Sequence, residues 1–175
     1  MNYTTTIPSP AGRLTLASDG AALTGLWIEG QKYFGGAQLQ QADIKDHLPL
    51  FEHVKDWLER YFAHLAPTAL SLPLKPEGSD FRKTVLHILC EIPYGQVTTY
   101  GEIAKEVEKR TGRPVSAQAV GGAVGHNPIS IIIPCHRVIG ANGSLTGYAG
   151  GLALKRWLLA LEGIETARFS APGLE

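Results

Sequence analysis

The sequence is poor in the residues that build disulfide frameworks and metal clusters. Of its 175 residues only two are cysteine, Cys90 and Cys135, too few for a disulfide scaffold or a cysteine-based zinc site. No apolar run approaches the ~20 residues that a membrane-spanning helix requires. The N-terminus has neither the basic segment nor the apolar core of a signal peptide. These absences predict a cytoplasmic protein with no metal, no cofactor and no membrane partner.

Net charge is also absent. Lysine plus arginine and aspartate plus glutamate each number 16, a balance that argues weakly against a nucleic-acid partner. The two parts of the chain differ, however. Residues 1–80 carry six basic and nine acidic side chains, whereas residues 81–175 carry ten and seven. A mildly basic C-terminal half permits a DNA-binding face within a neutral total.

The order of sequence patterns indicates an α+β protein with two domains, residues 1–78 and 79–175. Alternating apolar residues within 3–7, 14–16 and 23–28, separated by proline and glycine turns, predict an antiparallel meander. An amphipathic helix follows over residues 51–65, and the proline-rich residues 67–78 fit an edge strand and a linker.

The second domain is predicted to be mostly helical. Helices are expected to begin at Ser79 or Asp80, at Thr98 or Thr99, and at Ser116. The helix after Ser116 and the one before it have the outline of a helix-turn-helix. A final amphipathic helix is expected to place these residues on its apolar face: Leu154, Trp157, Leu158 and Leu161.

Residues 131–138 hold the most informative pattern, three isoleucines followed by proline, cysteine, histidine, arginine and valine. Three β-branched residues predict a strand buried on both faces, and Pro134 ends it at a defined point. Cys135 then has an imidazole beside it and a guanidinium two positions away. A nucleophilic cysteine benefits from such surroundings because they favour the thiolate. A half-buried structural cysteine at a strand end is an equal alternative.

Two further residues complete a candidate relay. Cys135 and His136 would face opposite ways in an extended chain, so proton transfer between them needs a local turn or an intervening water. Glu162 follows the final helix, where a carboxylate opposes the helix dipole and therefore suggests a specific partner. A Glu162–His136–water–Cys135 relay would lower the pKa of the thiol.

The predicted helix after Ser116 has almost no side-chain bulk. Its glycines cost roughly 1 kcal/mol each relative to alanine, so a close approach to another surface must compensate. That surface is either a neighbouring helix or a narrow groove of DNA. The pattern of this helix taken alone favours packing against a neighbouring helix.

These motifs together resemble those of the O6-alkylguanine-DNA alkyltransferases, also called methylated-DNA–protein-cysteine methyltransferases. The resemblance runs from about Asp80 to Gly163, half of the chain, and the N-terminal half is similar only in outline. It rests on several ordered segments: residues 95–100 (GQVTTY), 119–123 (AVGGA), 127–128 (NP), 134–138 (PCHRV), 147–152 (GYAGGL) and 155–163 (KRWLLALEG).

The resemblance implies a fold and an activity. The fold would be an N-terminal ribonuclease-H-like sheet with a helix, followed by a mostly helical domain whose winged-helix-like helix-turn-helix carries the active site. The activity would be DNA repair by direct reversal, a single irreversible transfer of the alkyl group of O6-alkylguanine to Cys135 after base flipping. O4-alkylthymine is a second candidate substrate. The expected partner is double-stranded DNA, bound through its minor groove by a monomer.

The resemblance also implies residue roles. Cys135 would be the acceptor, activated through water by His136, which Glu162 orients, while Asn127 braces the turn and Tyr100 protonates N3 of the guanine. The carbonyls of Cys135 and Val138 would accept from the exocyclic amine, the Ala149 N–H would donate to O6, and Tyr148 would close the pocket. Lys155 and Arg137 would support the site. DNA would be bound by Thr99, Ser116, Ala117, Gln118, Ala119, Gly121 and Gly122.

The chain departs from the family pattern at two positions. Gln118 stands where many members carry an arginine that enters the duplex, and Ala149 stands where a serine often follows the pocket tyrosine. Glutamine can hydrogen-bond the orphaned cytosine but brings no charge. A cysteine hydrolase built on Cys135, His136 and Glu162, and a helix-turn-helix module without chemistry, are the competing functions.

Overall fold

A computed structural model of the chain describes residues 1–170, so the last five residues of the predicted second domain lie outside the described part. The strands are β1 (Tyr3–Ile7), β2 (Leu14–Ser18), β3 (Leu23–Ile28), β4 (Asp43–Ile44), β5 (Thr98–Thr99) and β6 (Val138–Ile139). The α-helices are α1 (Pro49–Phe62), α2 (Asp80–Cys90), α3 (Tyr100–Thr111), α4 (Ala117–Gly125) and α5 (Leu152–Leu161). The architecture is α+β, as the sequence predicted.

The N-terminal sheet has the strand order β3-β2-β1-β4. The pairs β1–β2 and β2–β3 are antiparallel, which confirms the predicted meander, whereas the two-residue strand β4 joins β1 in parallel. Helix α1 contributes its buried stripe to the same core as the sheet, in particular Phe51, Val54, Trp57 and Tyr61. Because Pro49 occupies the first turn, it initiates the helix without losing an intrahelical bond.

Residues 67–78 contain less strand than the sequence predicted. Ala69–Ser71 form a short 3-10 helix, and Leu74 makes one isolated parallel bridge with Leu23 at the edge of the sheet. The prolines explain this outcome, since they remove the donors that a longer edge strand would need.

The C-terminal helices begin at capping side chains. The Ser79 hydroxyl accepts from the backbone N–H of Arg82, Thr99 and Glu102 form a reciprocal capping box, and Ser116 accepts from Ala119. Helix α4 packs against both α2 and α3. Strand β5 pairs in parallel with β6, so the start of α3 is held beside the segment that follows Cys135.

The predicted strand at residues 131–133 is wrong, although its burial is right. These isoleucines are at most 1% exposed, yet they lie in consecutive turns, and Ile131 has a φ of 69°. The turns satisfy their own backbone, since Ile133 N–H donates to the Ile129 carbonyl at 3.1 Å and Cys135 N–H to the Ile133 carbonyl at 2.8 Å. The run of apolar β-branched residues therefore correctly indicated a buried segment, but it did not indicate an extended backbone.

The same segment ties the two halves of the chain together. Ile129 forms a parallel bridge with Leu26 of β3, through bonds of 2.9 Å from Leu26 N–H to the Pro128 carbonyl and from Ser130 N–H to the Leu26 carbonyl. One hydrophobic core continues from Leu14 in β2 to Leu158 in α5. The turn that carries the candidate site is thus anchored on the N-terminal sheet.

Helix α5 corrects one further expectation. Its buried residues are Lys155, Leu158 and Leu159, whereas Trp157 is 39% exposed and rests near Phe62 of α1. A lysine on the buried face and a tryptophan at the surface reverse what hydrophobicity alone predicts. Among residues 1–170, no helix combines the length and apolar character needed to cross a membrane.

Candidate active site

Cys135 lies in a 3-10 turn, Cys135–Arg137, directly before β6. It is 5% exposed and belongs to the main core. The sequence analysis predicted that proton transfer between Cys135 and His136 needs either a local turn or a bridging water. The structure shows the turn. Within the described residues no direct hydrogen bond joins the thiol to the imidazole.

Glu162 is the centre of a buried network. Its Oε2 accepts from His136 Nε2 at 2.5 Å and from the Tyr61 hydroxyl at 2.7 Å, and its Oε1 accepts from Arg137 Nε at 2.7 Å and from the Gly95 N–H at 3.0 Å. Burial alone would raise the pKa of this carboxyl group, but the His136 and Arg137 donors outweigh it and lower the pKa to about 2. Glu162 is therefore ionised at neutral pH.

The network defines which nitrogen of His136 can act as a base. Burial lowers the pKa of His136 below its usual value, against the opposing effect of Glu162, so the imidazole is neutral at rest. Because Nε2 donates to an ionised carboxylate, Nε2 carries the proton and Nδ1 keeps its lone pair. Among the described residues, Nδ1 is buried and has no hydrogen-bond partner. A proton acceptor beside Cys135 is thus available.

The thiol itself is held in its neutral form. Burial raises the pKa of Cys135, although the Asn127 amide and the Lys155 ammonium pull it down. The sequence led us to expect a lowered pKa, and the structure gives the opposite direction because the thiol lies inside the core. Proton removal must then accompany the reaction instead of preceding it.

Asn127 fixes the turn between α4 and the cysteine. Its Nδ2 donates to the carbonyls of Ile129 and Ile133 at 3.2 and 2.9 Å, and its Oδ1 accepts from the Ile129 N–H at 3.0 Å. One side chain therefore crosslinks the successive turns that precede Cys135. This geometry agrees with the bracing role that the resemblance implied.

Lys155 is completely buried and bonded to backbone carbonyls. Its Nζ donates to Val138 at 2.5 Å and to Thr146 at 2.8 Å. Burial lowers the pKa of Lys155 to about 8. The ammonium thus holds β6 beside the loop of residues 144–151. Arg137 reaches away from this loop, since Nη1 donates to the Ile92 carbonyl at 2.7 Å while Nε pairs with Glu162.

The loop of residues 147–151 lies near the cysteine, close enough for a charge on Cys135 to raise the pKa of Tyr148. Tyr148 is 8% exposed, and its hydroxyl has no hydrogen-bond partner among the described residues. The Ala149 carbonyl accepts from the Lys32 N–H at 2.9 Å, so the N-terminal half holds this loop. Tyr100, the first residue of α3, donates from its hydroxyl to the Thr146 carbonyl at 3.0 Å, and burial raises its pKa. Tyr100 therefore remains a proton donor at neutral pH.

The small residues of α4 face outward. Ser116, Ala117, Gln118, Ala119 and Gly122 are exposed, whereas the buried side consists of Val120, Ala123 and Val124. A Cβ atom built at Gly122 would meet nothing within 4 Å, and one at Gly121 would meet only the Tyr100 ring at 3.9 Å. Close packing against a protein neighbour does not explain the lack of bulk at Gly122. Thr99, the remaining residue of the predicted DNA face, uses its hydroxyl to cap α3.

Sequence reasoning missed Tyr61. The residue falls within the amphipathic helix predicted over residues 51–65, and its hydroxyl enters the Glu162 network from the other half of the chain. No local pattern marks such a residue, because the contact spans 101 positions. Among residues 1–170 no group of three or more His, Cys, Asp or Glu side chains is placed to hold a metal ion.

Comparisons with known proteins agree with this geometry. The family model described as 6-O-methylguanine DNA methyltransferase, DNA binding domain, matches residues 80–164, and the model described as the ribonuclease-like domain of the same family matches residues 2–76. A methylated-DNA–protein-cysteine methyltransferase of Haemophilus influenzae is 46% identical over 93% of this chain and 87% of its own. A protein of the same name from Methanosarcina acetivorans is 44% identical over 92% and 98%.

Solved structures give the same result. The O6-methylguanine methyltransferase of Mycobacterium tuberculosis has a TM-score of 0.79 at 44% identity, covering 97% of this chain and 96% of its own. The M. tuberculosis OGT in complex with DNA has a TM-score of 0.79 at 43% identity, covering 95% and 94%. Since family models match both halves and relatives exceed 40% identity over almost the whole length, the chain belongs to the 6-O-methylguanine DNA methyltransferase family.

Proposed function

We propose that the protein repairs double-stranded DNA by transferring the alkyl group of O6-alkylguanine to Cys135, once per molecule. The single observation that carries the proposal is the buried cysteine beside a neutral imidazole whose other nitrogen is hydrogen-bonded to an ionised carboxylate. This arrangement provides a nucleophile together with a base that is free to accept its proton. Family membership supplies the substrate class.

The chemistry follows from the protonation states. His136 Nδ1 takes the thiol proton through a bridging water as the sulfur attacks the alkyl carbon. The C–S bond forms, the C–O6 bond breaks, and the electron pair remains on the guanine. Tyr100 donates a proton to N3 of the leaving base, and the proton taken up by His136 returns through water to Tyr100. Tautomerisation then moves the base proton from N3 to N1, so the products are guanine and a thioether. A thioether is a poor leaving group, which makes the transfer irreversible.

The loop of residues 147–151 must open before a base can enter. Cys135 and Tyr148 are both nearly buried, and the loop is flanked by Gly147 and Gly151, whose φ values of 56° and 93° suit glycine. In the open state the Val138 carbonyl and the Ala149 N–H would face the guanine edge. Lys155 would then hold Val138 in place as the loop moves.

DNA would be bound by the exposed face of α4 in the minor groove. The outward-facing small residues support this proposal, because they let the helix backbone approach a narrow groove while Gln118 fills the place of the flipped base. We further propose a monomer in the cytoplasm, with an N-terminal domain of residues 1–78 and a C-terminal domain of residues 79–175.

The test compares two substrates and two proteins. The wild-type protein should accept the methyl group of O6-methylguanine in a duplex faster than it reacts with the free base O6-benzylguanine, because the duplex is bound by α4. Cys135→Ser should bind the duplex but transfer nothing, since a neutral hydroxyl is a much weaker nucleophile. Repeated turnover with release of the alkyl group would instead identify a hydrolase, and binding without any transfer by the wild type would identify a binding module.

A further inference from the structure

Tyr61 connects the N-terminal half of the chain to the proposed reaction. Its ring lies in α1, 0% exposed, and is fixed by four aromatic neighbours at centroid distances of 5.2–6.5 Å: Trp57, Phe62, Tyr94 and His136. The hydroxyl donates to Glu162 Oε2 at 2.7 Å and lies 3.4 Å from His136 Nε2. A tyrosine locked in this way holds its hydroxyl at one point of the network.

The hydroxyl shares an oxygen with the imidazole. Glu162 Oε2 accepts from both Tyr61 and His136, whereas Oε1 serves Arg137 and Gly95. Burial and the Glu162 charge raise the pKa of the Tyr61 phenol far above its ordinary value, so the hydroxyl is a permanent donor. A carboxylate oxygen that already accepts one strong hydrogen bond attracts a second donor less strongly.

We propose that Tyr61 is a positioning residue of the alkyl transfer, through which the N-terminal half keeps His136 oriented and neutral. Without the hydroxyl, Oε2 would concentrate its charge on His136 Nε2–H and favour the imidazolium, which cannot accept the thiol proton. The inference rests on the proposed function, because it assigns a role within that reaction.

The other charged groups around the imidazole do not replace this contact. Lys155 of α5 and Arg137 of the 3-10 turn both disfavour the imidazolium, and Glu162 favours it. Tyr94 and Tyr148 lie close enough to Glu162 for its charge to raise their own pKa values, but neither donates a hydrogen bond to it. Cys135, the neighbour in the chain, is neutral at rest. Tyr61 is therefore the neutral donor, within the described residues, that shares the oxygen bound by His136.

The experiment measures the rate of alkylation by free O6-benzylguanine from about pH 5.5 to pH 9, in the full-length wild type, Tyr61→Phe and Tyr94→Phe. Tyr94→Phe is the matched control, because it removes a hydroxyl from the same aromatic cluster. That hydroxyl contacts the Leu161 carbonyl at 3.3 Å and His64 Nδ1 at 3.5 Å, and not Glu162. Rates are scaled to the folded fraction from circular dichroism. Free base is used so that DNA binding does not enter the rate.

Tyr61→Phe should move the acid limb of the rate profile upward by about one pH unit, so that the loss of rate relative to the wild type is largest, up to about tenfold, at the acid end of the range and disappears at higher pH. Tyr94→Phe should follow the wild-type profile. A loss that is equal at every pH, or no loss, would overturn the inference. If the wild type itself is not alkylated, the proposed function fails instead, so the two failures are distinct.

A second variant covers the case in which Tyr61→Phe does not fold. A ring-fluorinated tyrosine incorporated at position 61 keeps the shape of the side chain and makes its hydroxyl a stronger donor. The acid limb should then move to lower pH. An unchanged or upward-shifted limb would contradict the role assigned to Tyr61.

Discussion

Glu162 is unusual because its position at the end of α5 disfavours the negative charge of its carboxylate. It is the C-terminal capping residue of the helix, where the dipole disfavours a negative charge, and it is only 6% exposed. Four donors from three different parts of the chain compensate: Tyr61 in α1, Gly95 after α2, and His136 and Arg137 at the cysteine turn. Removing the charge from Glu162 therefore affects both the stability of the fold and the orientation of the imidazole.

Acid should destabilise the wild type through this residue. Its pKa is lowered from 4.5 to about 2, so its contribution is present above pH 4.5 and is lost as the pH falls towards 2. The shift corresponds to on the order of 3 kcal/mol in the free energy of unfolding. Urea unfolding between pH 2 and pH 6 should show a flatter pH dependence for Glu162→Gln than for the wild type. Parallel curves would mean that another carboxylate dominates.

The thiol of Cys135 in the unreacted protein should lose its proton at a higher pH than an ordinary cysteine. Because burial raises the pKa of Cys135 in the folded protein, alkylation by iodoacetamide should reach half its maximal rate at a higher pH in the folded than in the unfolded chain. Cys90→Ser isolates the signal, since burial also raises the pKa of Cys90, to about 11. Stability should correspondingly decrease at alkaline pH, where the unfolded chain loses the thiol proton first. A half-maximal pH below that of the unfolded chain would support a preformed thiolate.

At the scale of single elements, we assign DNA binding to α4 and the positioning of Cys135 to the turns that follow it. The exposed face of α4 has the low bulk that a groove requires, and Asn127 converts the end of that helix into a rigid series of turns leading to Cys135. The proposed recognition and chemistry would thus lie on one continuous segment of about twenty residues. Changes on the outer face of α4 should alter the reaction with duplex DNA and spare the reaction with a free base.

Gln118 provides the first test of this division. Gln118→Ala should slow transfer from a duplex while leaving free O6-benzylguanine almost unaffected, because flipping costs a few kcal/mol of unstacking and the free base needs none. Gln118→Arg should tighten binding at low salt and steepen the dependence of log K on log salt by up to about one unit. Equal slowing of both substrates by Gln118→Ala would place the residue in the pocket.

Gly122 provides the second test. A Cβ atom there would meet nothing within 4 Å, so Gly122→Ala should stabilise the protein by up to about 1 kcal/mol. Gly122→Leu should remain folded and react normally with the free base, but its bulk should weaken duplex binding by at least tenfold, measured by fluorescence anisotropy. Wild-type duplex affinity in Gly122→Leu would show that α4 does not enter the groove.

At the scale of the whole molecule, the two halves are joined at the site itself. Ile129 bridges to β3, Lys32 holds the loop of residues 147–151, and Tyr61 enters the Glu162 network. The N-terminal half therefore acts as a support for the chemistry carried by the C-terminal half. This arrangement explains why one hydrophobic core spans both.

The sequence predicted the elements better than the contacts between them. The meander and the helices followed from periodicity and capping residues, and the Glu162–His136 pair followed from the unfavourable position of the carboxylate. The turns at residues 131–133 were mistaken for a strand, because burial leaves the same apolar signature in either conformation. The role of Tyr61 and the burial of Lys155 could not be read from local patterns, since their partners are distant in sequence or are backbone carbonyls, although the resemblance had named Lys155 as a residue that supports the site. The domain division and the residues of the DNA face stay predictions.

The central claim is that Cys135 accepts one alkyl group and keeps it. Intact-protein mass spectrometry after incubation with excess duplex containing O6-methylguanine tests it most directly, with peptide mapping to locate the modification. We predict one added methyl group per molecule, on Cys135, and one guanine restored per protein molecule, after which the reaction stops. Methyl on Cys90, or more than one guanine restored per molecule, would contradict the account.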